Sequence, residues 1–543
     1  MPWEQVYLPF SSLPLSVFLA FLPLLGLLYF LGVRKTKGLY ACALSLGIAI
    51  VLALTIWKMP PILAIAAITN GMAFGLFPIG WIILHAMWLY NMVVESGQFN
   101  HIRNYLSFLT PDRRLQAVLI AFVLGAFLEG TAGFGTPVAI AAALLIGLGF
   151  PPLTAAAIAL VSNAAPVAFG GLGLPSTVAS QITGLDIFQL GKAAALQVAL
   201  LCFIAPFWIS SMIAGFRKTL EISPILLGGS LLFVGLQYSI AYYINPYLPL
   251  FLSATVTLLC LGSVFHFWQP KNIWRFPGDS SIQDILPPNP KELLRASLPF
   301  IILAILVFLW ADLQYTGFKI HLLGWESKLF DPQILWPGLH ESILRMPPTV
   351  SHPTLYGAKY FFNLISAPGT AILLAGLISI PLLPNYSFKK GAACYWQTLY
   401  QLRYALGTLP LVLGLAYLMN YSGMSSTLGL AFYTVGALFP FFSPVIGYIG
   451  VFLTGSEVSS NALFGLLQRT NAEALGFDPY RMVAGNMVGG GAAKMIAPQT
   501  IAVATAATGQ VGQEGELLMR TWKSSLFFLL LGSLFTGFIA YAF

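Results

Sequence analysis

The chain has 543 residues, of which 58% are apolar and 8% are Asp, Glu, Lys or Arg, and its mean hydropathy is +0.82. A soluble domain carries about 25% charged residues, so too little polar surface remains to cover a water-soluble core, and disordered, nucleic-acid-binding and soluble-enzyme classes are excluded. The formal charge of +8 is typical of basic loops on the cytoplasmic side of a membrane. The sequence therefore predicts a polytopic membrane protein. The four cysteines have no metal-ligand spacing, so neither a metal site nor a bound cofactor is expected.

Apolar runs close to the roughly 20 residues of a spanning helix recur along the chain. They lie near 13–32, 38–57, 72–94, 190–214, 225–244, 246–268, 293–311, 368–386, 400–420 and 523–543. Two further stretches, about 115–185 and 427–508, are apolar but interrupted by Gly and Pro. The N-terminus has no basic segment before its apolar run, so no cleaved signal peptide is expected.

Basic loops set the predicted orientation, because Lys and Arg accumulate on the cytoplasmic side. Arg34 follows the first run, which places the N-terminus outside. If 115–150 enters and leaves on one side, every other basic loop falls inside and the mixed-charge loop 313–366 falls outside. This predicts an all-α fold of roughly 12 spanning helices plus two re-entrant hairpins, or about 14 spans if each hairpin crosses twice.

The two interrupted stretches resemble one another. Phe127–Thr131 matches Phe452–Ser456 at an offset of 325 residues. The four residues Asn163, Pro175, Thr177 and Ala179 match Asn486, Pro498, Thr500 and Ala502 at an offset of 323. With the predicted orientation, the two copies cross the membrane in opposite directions. We therefore expect one transporter domain over 1–543, with inverted repeats at 72–214 and 400–543 and broken helices at Asn163 and Asn486.

Broken helices expose backbone N–H and C=O groups, which membranes tolerate only where protein or a wet cavity satisfies them. A helix N-terminus is suited to a carboxylate, and Ser, Thr, Asn and Gln side chains supply directional hydrogen bonds. The candidate substrate-binding residues are Thr131, Ser162, Asn163, Ser456, Ser459, Ser460, Asn461, Asn486, Lys494 and Gln499. The alternative is that the small residues in these stretches only let helices pack closely.

Three ionisable residues within the apolar stretches are candidates for charge or proton handling. Lys494 would hold an anion, the alternative being that it extends to the membrane surface. Glu129 lies among small and apolar residues, where burial disfavours a charged carboxyl and suits it to carry a proton; alternatively, a partner neutralises it. His85 is a second proton-coupling candidate, although a buried histidine is more often simply hydrogen-bonded. Glu457 is a weaker acidic candidate.

The motifs in these stretches are similar to those of the bacterial L-lactate permease family. The resemblance covers nearly the whole chain and is carried by Glu129–Pro137, Ser162–Pro175, Arg345–Pro348, Asn420–Gly423 and the run from Phe452 through Gly509. It implies an inner-membrane carrier that takes up L-lactate, and often D-lactate or glycolate, together with protons. Familiar members have Asp-Thr where this chain has Glu457-Val458, a departure that bears on specificity.

These expectations combine into electroneutral symport of one proton with one 2-hydroxy monocarboxylate across a bacterial inner membrane. The co-transported proton takes the place of a cofactor, membrane lipid surrounds the carrier, and no nucleic acid is involved. An integral-membrane enzyme is the rival class, but the chain has no HExxH or GxSxG pattern and six scattered histidines. A passive channel is the other rival. The sequence leaves the oligomeric state and the preferred hydroxy acid open.

Overall fold

The computed structural model describes residues 2–542 except 31–33, 35, 37, 132–135, 277–288, 317–331, 348–351, 363, 366, 434 and 511–512. The described chain is predominantly helical, and this confirms the predicted all-α membrane architecture. The described part of the 313–366 loop contains four short strands, and a fifth lies at the start of the chain. The strands are β1 (Trp3–Glu4), β2 (Gln333–Leu335), β3 (Ile343–Arg345), β4 (Thr354–Leu355) and β5 (Lys359–Phe361).

The helices of the first half of the chain are α1 (Leu13–Leu28), α2 (Gly38–Thr55), α3 (Pro61–Phe74), α4 (Trp81–Glu95), α5 (Gln98–Leu109), α6 (Arg113–Ala117), α7 (Gly125–Thr131), α8 (Thr136–Gly147), α9 (Pro152–Ala164), α10 (Gly170–Thr183), α11 (Ile187–Ala214), α12 (Phe216–Leu220), α13 (Ser223–Tyr243) and α14 (Pro249–Phe267). Those of the second half are α15 (Pro290–Thr316), α16 (Pro368–Ser379), α17 (Phe388–Ser422), α18 (Met424–Tyr433), α19 (Phe439–Thr454), α20 (Glu457–Leu475), α21 (Pro479–Lys494), α22 (Pro498–Ala507) and α23 (Glu514–Ala542).

Seven of the described helical segments are long and apolar enough to cross a membrane, or nine if each of two sharply bent pairs is one span. Shorter apolar helices, α1, α8, α14 and α16, account for further predicted runs. Two predicted spans are longer than expected: α3 and α4 join through a π-helical turn into one segment, Pro61–Glu95, and α17 has 35 residues. The total of roughly 12 spans stays a prediction.

A break divides α9 from α10, as the Gly- and Pro-rich sequence predicts. The two helices meet at 66°, and Gly171, Leu172 and Gly173 all have left-handed backbone angles. Such angles are costly for a residue with a Cβ, so Leu172 is held in a strained conformation. A Cβ on Gly173 would meet the carbonyl oxygen of Pro246, which leaves no room for a side chain there.

The expected break at Asn486 is wrong in position. Helix α21 continues through Asn486 and ends at Lys494, and a new helix begins at Pro498. The glycines that suggested the break serve close packing: a Cβ on Gly489 would meet the carbonyl oxygen of Pro444 on α19, and one on Gly447 of α19 would meet that of Asn486. The alternative hypothesis, that small residues in this segment let helices pack closely, explains the unbroken helix.

Each interrupted stretch also contains an earlier helix boundary. In the first, α7 ends at Thr131 and α8 begins at Thr136, and the connection at 132–135 lies outside the described residues. In the second, α19 ends at Thr454, Gly455 has a left-handed backbone, and Ser456 caps α20 by accepting a hydrogen bond from the Ser459 amide. The segment Arg113–Thr131 is buried throughout by other helices.

A buried arginine joins three loops at the end of α6. The Arg114 guanidinium binds both carboxylate oxygens of Asp112, at 3.0 and 2.7 Å, and Glu221 at 3.1 Å. It also donates to the carbonyl oxygens of Lys218 and Asn272. The pKa of Glu221 is lowered, chiefly because the Lys218 ammonium donates a hydrogen bond to its carboxylate and also because Arg114 does so. Desolvation raises this pKa, but its effect is outweighed. By the predicted orientation this network is cytoplasmic.

Candidate functional site

A buried ion pair joins the two interrupted stretches. The Lys494 ammonium, on the last residue of α21, lies 2.9 Å from Oε1 of Glu129 on α7. Glu129 is 2% and Lys494 7% exposed. Because two charges in the interior each lose favourable hydration, such a pair persists only where the partners and their hydrogen bonds compensate it. Lys494 therefore does not extend to the membrane surface, and Glu129 has a partner.

The second oxygen of the Glu129 carboxyl also has a partner. The side-chain amide of Asn163, one residue before the end of α9, donates to Oε2 of Glu129 at 2.8 Å. The amide oxygen of Asn163 has no hydrogen-bond partner in the part of the chain that is described. Gly170 opens α10 against the same carboxyl, since a Cβ there would lie 2.5 Å from Oε1 of Glu129. The α9–α10 break thus brings an amide and a bare backbone to Glu129.

A second buried carboxyl lies close to this pair. Glu457, the first residue of α20, is 3% exposed, and the charges of Lys494 and Glu129 both act on it. Gly490 of α21 contacts its carboxyl group, because a Cβ on Gly490 would overlap both carboxylate oxygens. Neither oxygen has a hydrogen-bond partner within the described ranges.

An amide network runs beside the charged group. Asn486 donates to the side-chain oxygen of Asn461 at 2.8 Å, and Asn461 donates to the carbonyl oxygen of Pro175 at 3.0 Å. Gln468 donates to Asn486 at 3.1 Å and to the carbonyl oxygen of Ser443 at 2.9 Å. Pro175 lies within α10, and its carbonyl oxygen can accept from Asn461 because a carbonyl oxygen has two lone pairs. This network, like the ion pair, connects the two stretches.

The remaining predicted residues are placed less centrally. Thr131 and Ser162 are buried and donate to carbonyl oxygens of their own helices. Ser460 is buried, donates to the carbonyl oxygen of Gly447 at 3.3 Å and accepts weakly from Asn486. Ser459 is buried and Ser456 is partly buried at the start of α20, whereas Gln499 is exposed and packs against Gly455.

His85 is not brought to the ion pair by any described contact. It is fully buried on α4, where Nδ1 lies 2.8 Å from the carbonyl oxygen of Trp81 and Nε2 lies 3.3 Å from the hydroxyl of Tyr395 on α17. Both ring nitrogens are therefore occupied, the arrangement expected of a structural histidine.

A pocket of about 120 Å³ lies beyond the α9–α10 break. Thr177, Ser180 and Gln181 of α10 line it on one side, and Pro78, Ile82 and Pro368 line it on the other, together with Ile187 and Tyr247. Thr177 is two residues from Pro175, whose carbonyl accepts from Asn461. The pocket is thus within about one helical turn of the amide network.

Sequence reasoning missed three contributors to the site. Gln468 and Ser443 complete the amide network, and Gly170 faces Glu129. A buried glutamine in an apolar helix was the available signal for Gln468, since a polar side chain within a membrane needs a partner. The glycine contact leaves no comparable signal, because glycines are frequent throughout both stretches.

The chain is similar in sequence to known permeases over nearly its whole length. The family model described as L-lactate permease matches residues 16–543. Glycolate permease GlcA of Escherichia coli is 42% identical, with 100% of this chain and 98% of that protein covered. An L-lactate permease of Salmonella typhimurium is also 42% identical, covering 99% and 98%. Among solved structures, MtrF of Neisseria gonorrhoeae aligns over 88% of this chain and 84% of its own, with 12% identity and a TM-score of 0.46.

Proposed function

Because the chain belongs to the L-lactate permease family, and is thus a multi-pass membrane transporter rather than an enzyme, we propose that it carries L-lactate, D-lactate and glycolate with a proton. The relatives named above are bacterial, so the proposed location is a bacterial inner membrane with the N-terminus outside. The proposal is electroneutral symport of one proton with one 2-hydroxy monocarboxylate.

The observation that carries this proposal is the buried pair of Glu129 and Lys494. A substrate carboxylate that reaches Lys494 has the same charge as the Glu129 carboxylate and competes with it. Once displaced, an ionised Glu129 would be buried without its counter-ion, a state that costs several kcal/mol and is relieved when it binds a proton. Substrate binding and proton uptake are thereby coupled at one lysine.

The membrane potential explains why the anion would be carried together with a proton. An anion that enters alone works against an inside-negative potential, at about 2.3 kcal/mol per 100 mV. With a proton on Glu129 and the anion on Lys494, the loaded site has the same charge as the empty one, so this opposing energy vanishes. A pH gradient then drives accumulation.

Asn163 is the best-placed side chain to recognise the 2-hydroxyl group. Its amide oxygen is buried and unpartnered among the described residues, while its amide nitrogen contacts Glu129. A hydroxyl donor from the substrate would satisfy that oxygen. Asn461 and Asn486 are bound to one another, so they would shape the site, and their contact with Pro175 would hold the two stretches together.

Alternating access would follow from relative movement of the two stretches. We propose that they belong to inverted repeats, 72–214 and 400–543, and that the loop 313–366 is extracytoplasmic. In such carriers the site lies where broken helices meet near the middle of the membrane. The pocket beside Thr177 and Gln181 would then lead from outside toward the ion pair.

A pair of assays on Glu129→Gln tests the proposal. In proteoliposomes, the wild-type protein should accumulate labelled L-lactate under an inward proton gradient and should exchange internal for external lactate without one. Glu129→Gln should lose accumulation but retain exchange, because glutamine fills the same space without titrating. Normal accumulation by the variant would reject Glu129 as the proton carrier. Uptake without saturation or counterflow would instead indicate a channel.

A further inference from the structure

Glu457 is a buried acid for which the proposed proton cycle has no use. It is 3% exposed, and neither carboxylate oxygen has a hydrogen-bond partner in the described part of the chain. It also lies at a defined place: Gly490 of α21 contacts its carboxyl, and Lys494 is one helical turn further along the same face of α21. The carboxyl therefore borders the space that a ligand of Lys494 would enter.

Among the described residues, Lys494 is the one cation close enough to neutralise either Glu129 or Glu457. The Lys494 ammonium is hydrogen-bonded to Glu129, and Glu129 and Lys494 are the charged groups that act on Glu457. Helices α10, α17, α18, α19 and α21 pack against α20, and α10, α18 and α19 contain no Asp, Glu, Lys, Arg or His. The other charged groups on α17 and α21 are Lys389, Lys390 and Arg403, which are exposed, and Arg481, which pairs with Asp478.

The start of α20 gives Glu457 no hydrogen bond from a described amide. The partial positive charge of the helix N-terminus is the one favourable effect it has on an ionised Glu457, and it is a weak one. Here the Ser459 amide binds the Ser456 hydroxyl, and no described amide binds Glu457. A buried carboxylate without a counter-ion or hydrogen bonds takes up a proton.

We propose that Glu457 remains protonated throughout the transport cycle and donates a hydrogen bond to the bound hydroxy acid, while Glu129 alone takes up and releases the transported proton. This inference rests on the proposed symport. The charges balance: the empty site holds Lys494 positive, Glu129 negative and Glu457 neutral, and the loaded site holds Lys494 positive, the substrate negative and both acids neutral. One proton enters with one anion, and the buried charge is unchanged.

The first experiment compares Glu457→Gln with Glu457→Leu and Glu129→Gln in the same proteoliposome assay. Glutamine keeps a donor, so Glu457→Gln should weaken the lactate Kd by about threefold yet retain accumulation driven by a pH gradient. Leucine has no donor, so Glu457→Leu should weaken it by about tenfold or more. Loss of proton-driven accumulation in Glu457→Gln, in an assay where the wild type accumulates, would overturn the inference.

Unchanged lactate affinity in a folded Glu457→Leu would also overturn the inference, because it would show that Glu457 donates no hydrogen bond to the substrate. If Glu457→Leu does not fold, the accumulation measured with Glu457→Gln tests the inference by itself. A second measurement needs no substrate. The infrared carbonyl band of a protonated carboxyl should be present in the wild-type protein at neutral pH and absent in Glu457→Gln. A band equal in wild type and Glu457→Gln would contradict the inference. Absence of lactate uptake by the wild type would instead reject the proposed function.

Discussion

At the scale of single residues, the site is defined by one cation, two acids and one amide. Lys494 binds Glu129, Asn163 binds the other oxygen of Glu129, and Glu457 lies beside them without a hydrogen bond in the described structure. Such a group has little tolerance for change, because removal of one partner from a buried pair leaves the other charge uncompensated. In the proposed symport, the same property would let a substrate anion change the protonation of Glu129.

Substitution of Lys494 tests its role in binding. Lys494→Ala should weaken L-lactate binding by at least tenfold, since a charge-assisted hydrogen bond contributes about 1.5–3 kcal/mol. Lys494→Arg should restore part of the affinity because it keeps the charge but alters the geometry. Isothermal titration of the purified protein measures both. Wild-type affinity in Lys494→Ala would remove this residue from the site.

The same pair makes a separate prediction for stability. Lys494→Gln should lower the free energy of unfolding by about 3–5 kcal/mol, because it strands the buried Glu129 carboxylate. The double variant Glu129→Gln/Lys494→Gln should recover most of this loss, since no buried charge is left. Thermal unfolding in detergent compares the three proteins. A double variant as unstable as Lys494→Gln would show that the lost stability is due to packing.

At the scale of helices and loops, breaks and glycines determine which groups reach the site. Just after the α9–α10 break the Pro175 carbonyl accepts from Asn461, and Gly170 lets α10 approach Glu129. The end of the fold that the basic loops predict to be cytoplasmic is held by a buried arginine. There the Arg114 guanidinium holds Asp112 and Glu221.

A methyl group at Gly170 should disturb the ion pair without touching any charge. A Cβ there would lie 2.5 Å from Oε1 of Glu129, while the backbone angles of Gly170 suit any residue. Gly170→Ala should therefore displace the carboxyl and reduce lactate uptake by about tenfold, as small misplacements in a binding site do. Gly228→Ala on α13 is the matched control, because a Cβ there meets nothing within 4 Å. Equal uptake by both variants would count against the close contact.

Removal of Arg114 should destabilise the fold far more than removal of an exposed arginine. Arg114 is fully buried, so Arg114→Ala strands Asp112 and should cost about 3–5 kcal/mol of unfolding free energy. The control is Arg520→Ala, which removes an exposed pair with Glu516 and should cost less than about 1 kcal/mol. The difference appears as a lower thermal midpoint for Arg114→Ala. Similar midpoints would show that the buried Arg114 network does not stabilise the fold.

The sequence predicted helices and helix breaks better than it predicted contacts between distant residues. Apolar runs located most helices, and Gly-Pro punctuation located the α9–α10 break, because both follow from local chemistry. The break expected at Asn486 was wrong because glycine in a helix either interrupts it or allows a neighbour to approach, and only packing against α19 decides between these. The Glu129–Lys494 contact joins residues 365 positions apart, a separation that no local pattern encodes.

At the scale of the whole molecule, the two interrupted stretches form one buried polar centre. The ion pair and the amide network both cross between them, and the pocket beside α10 lies next to this boundary. The proposed inverted repeats would give each stretch one side of the substrate and would expose the centre to either side of the membrane in turn. The proposed coupling of proton to anion would then take place where the two stretches meet, since neither stretch alone holds both Glu129 and Lys494.

The central claim is that one substrate anion moves with one proton through this centre. Initial uptake of labelled L-lactate into proteoliposomes tests it directly, with either a pH gradient or an electrical potential imposed alone. Electroneutral symport predicts that an inward proton gradient drives accumulation. It also predicts that an inside-negative potential, whatever its size, leaves the initial rate unchanged. Uptake that rises or falls with the potential, or that ignores the pH gradient, would contradict the account.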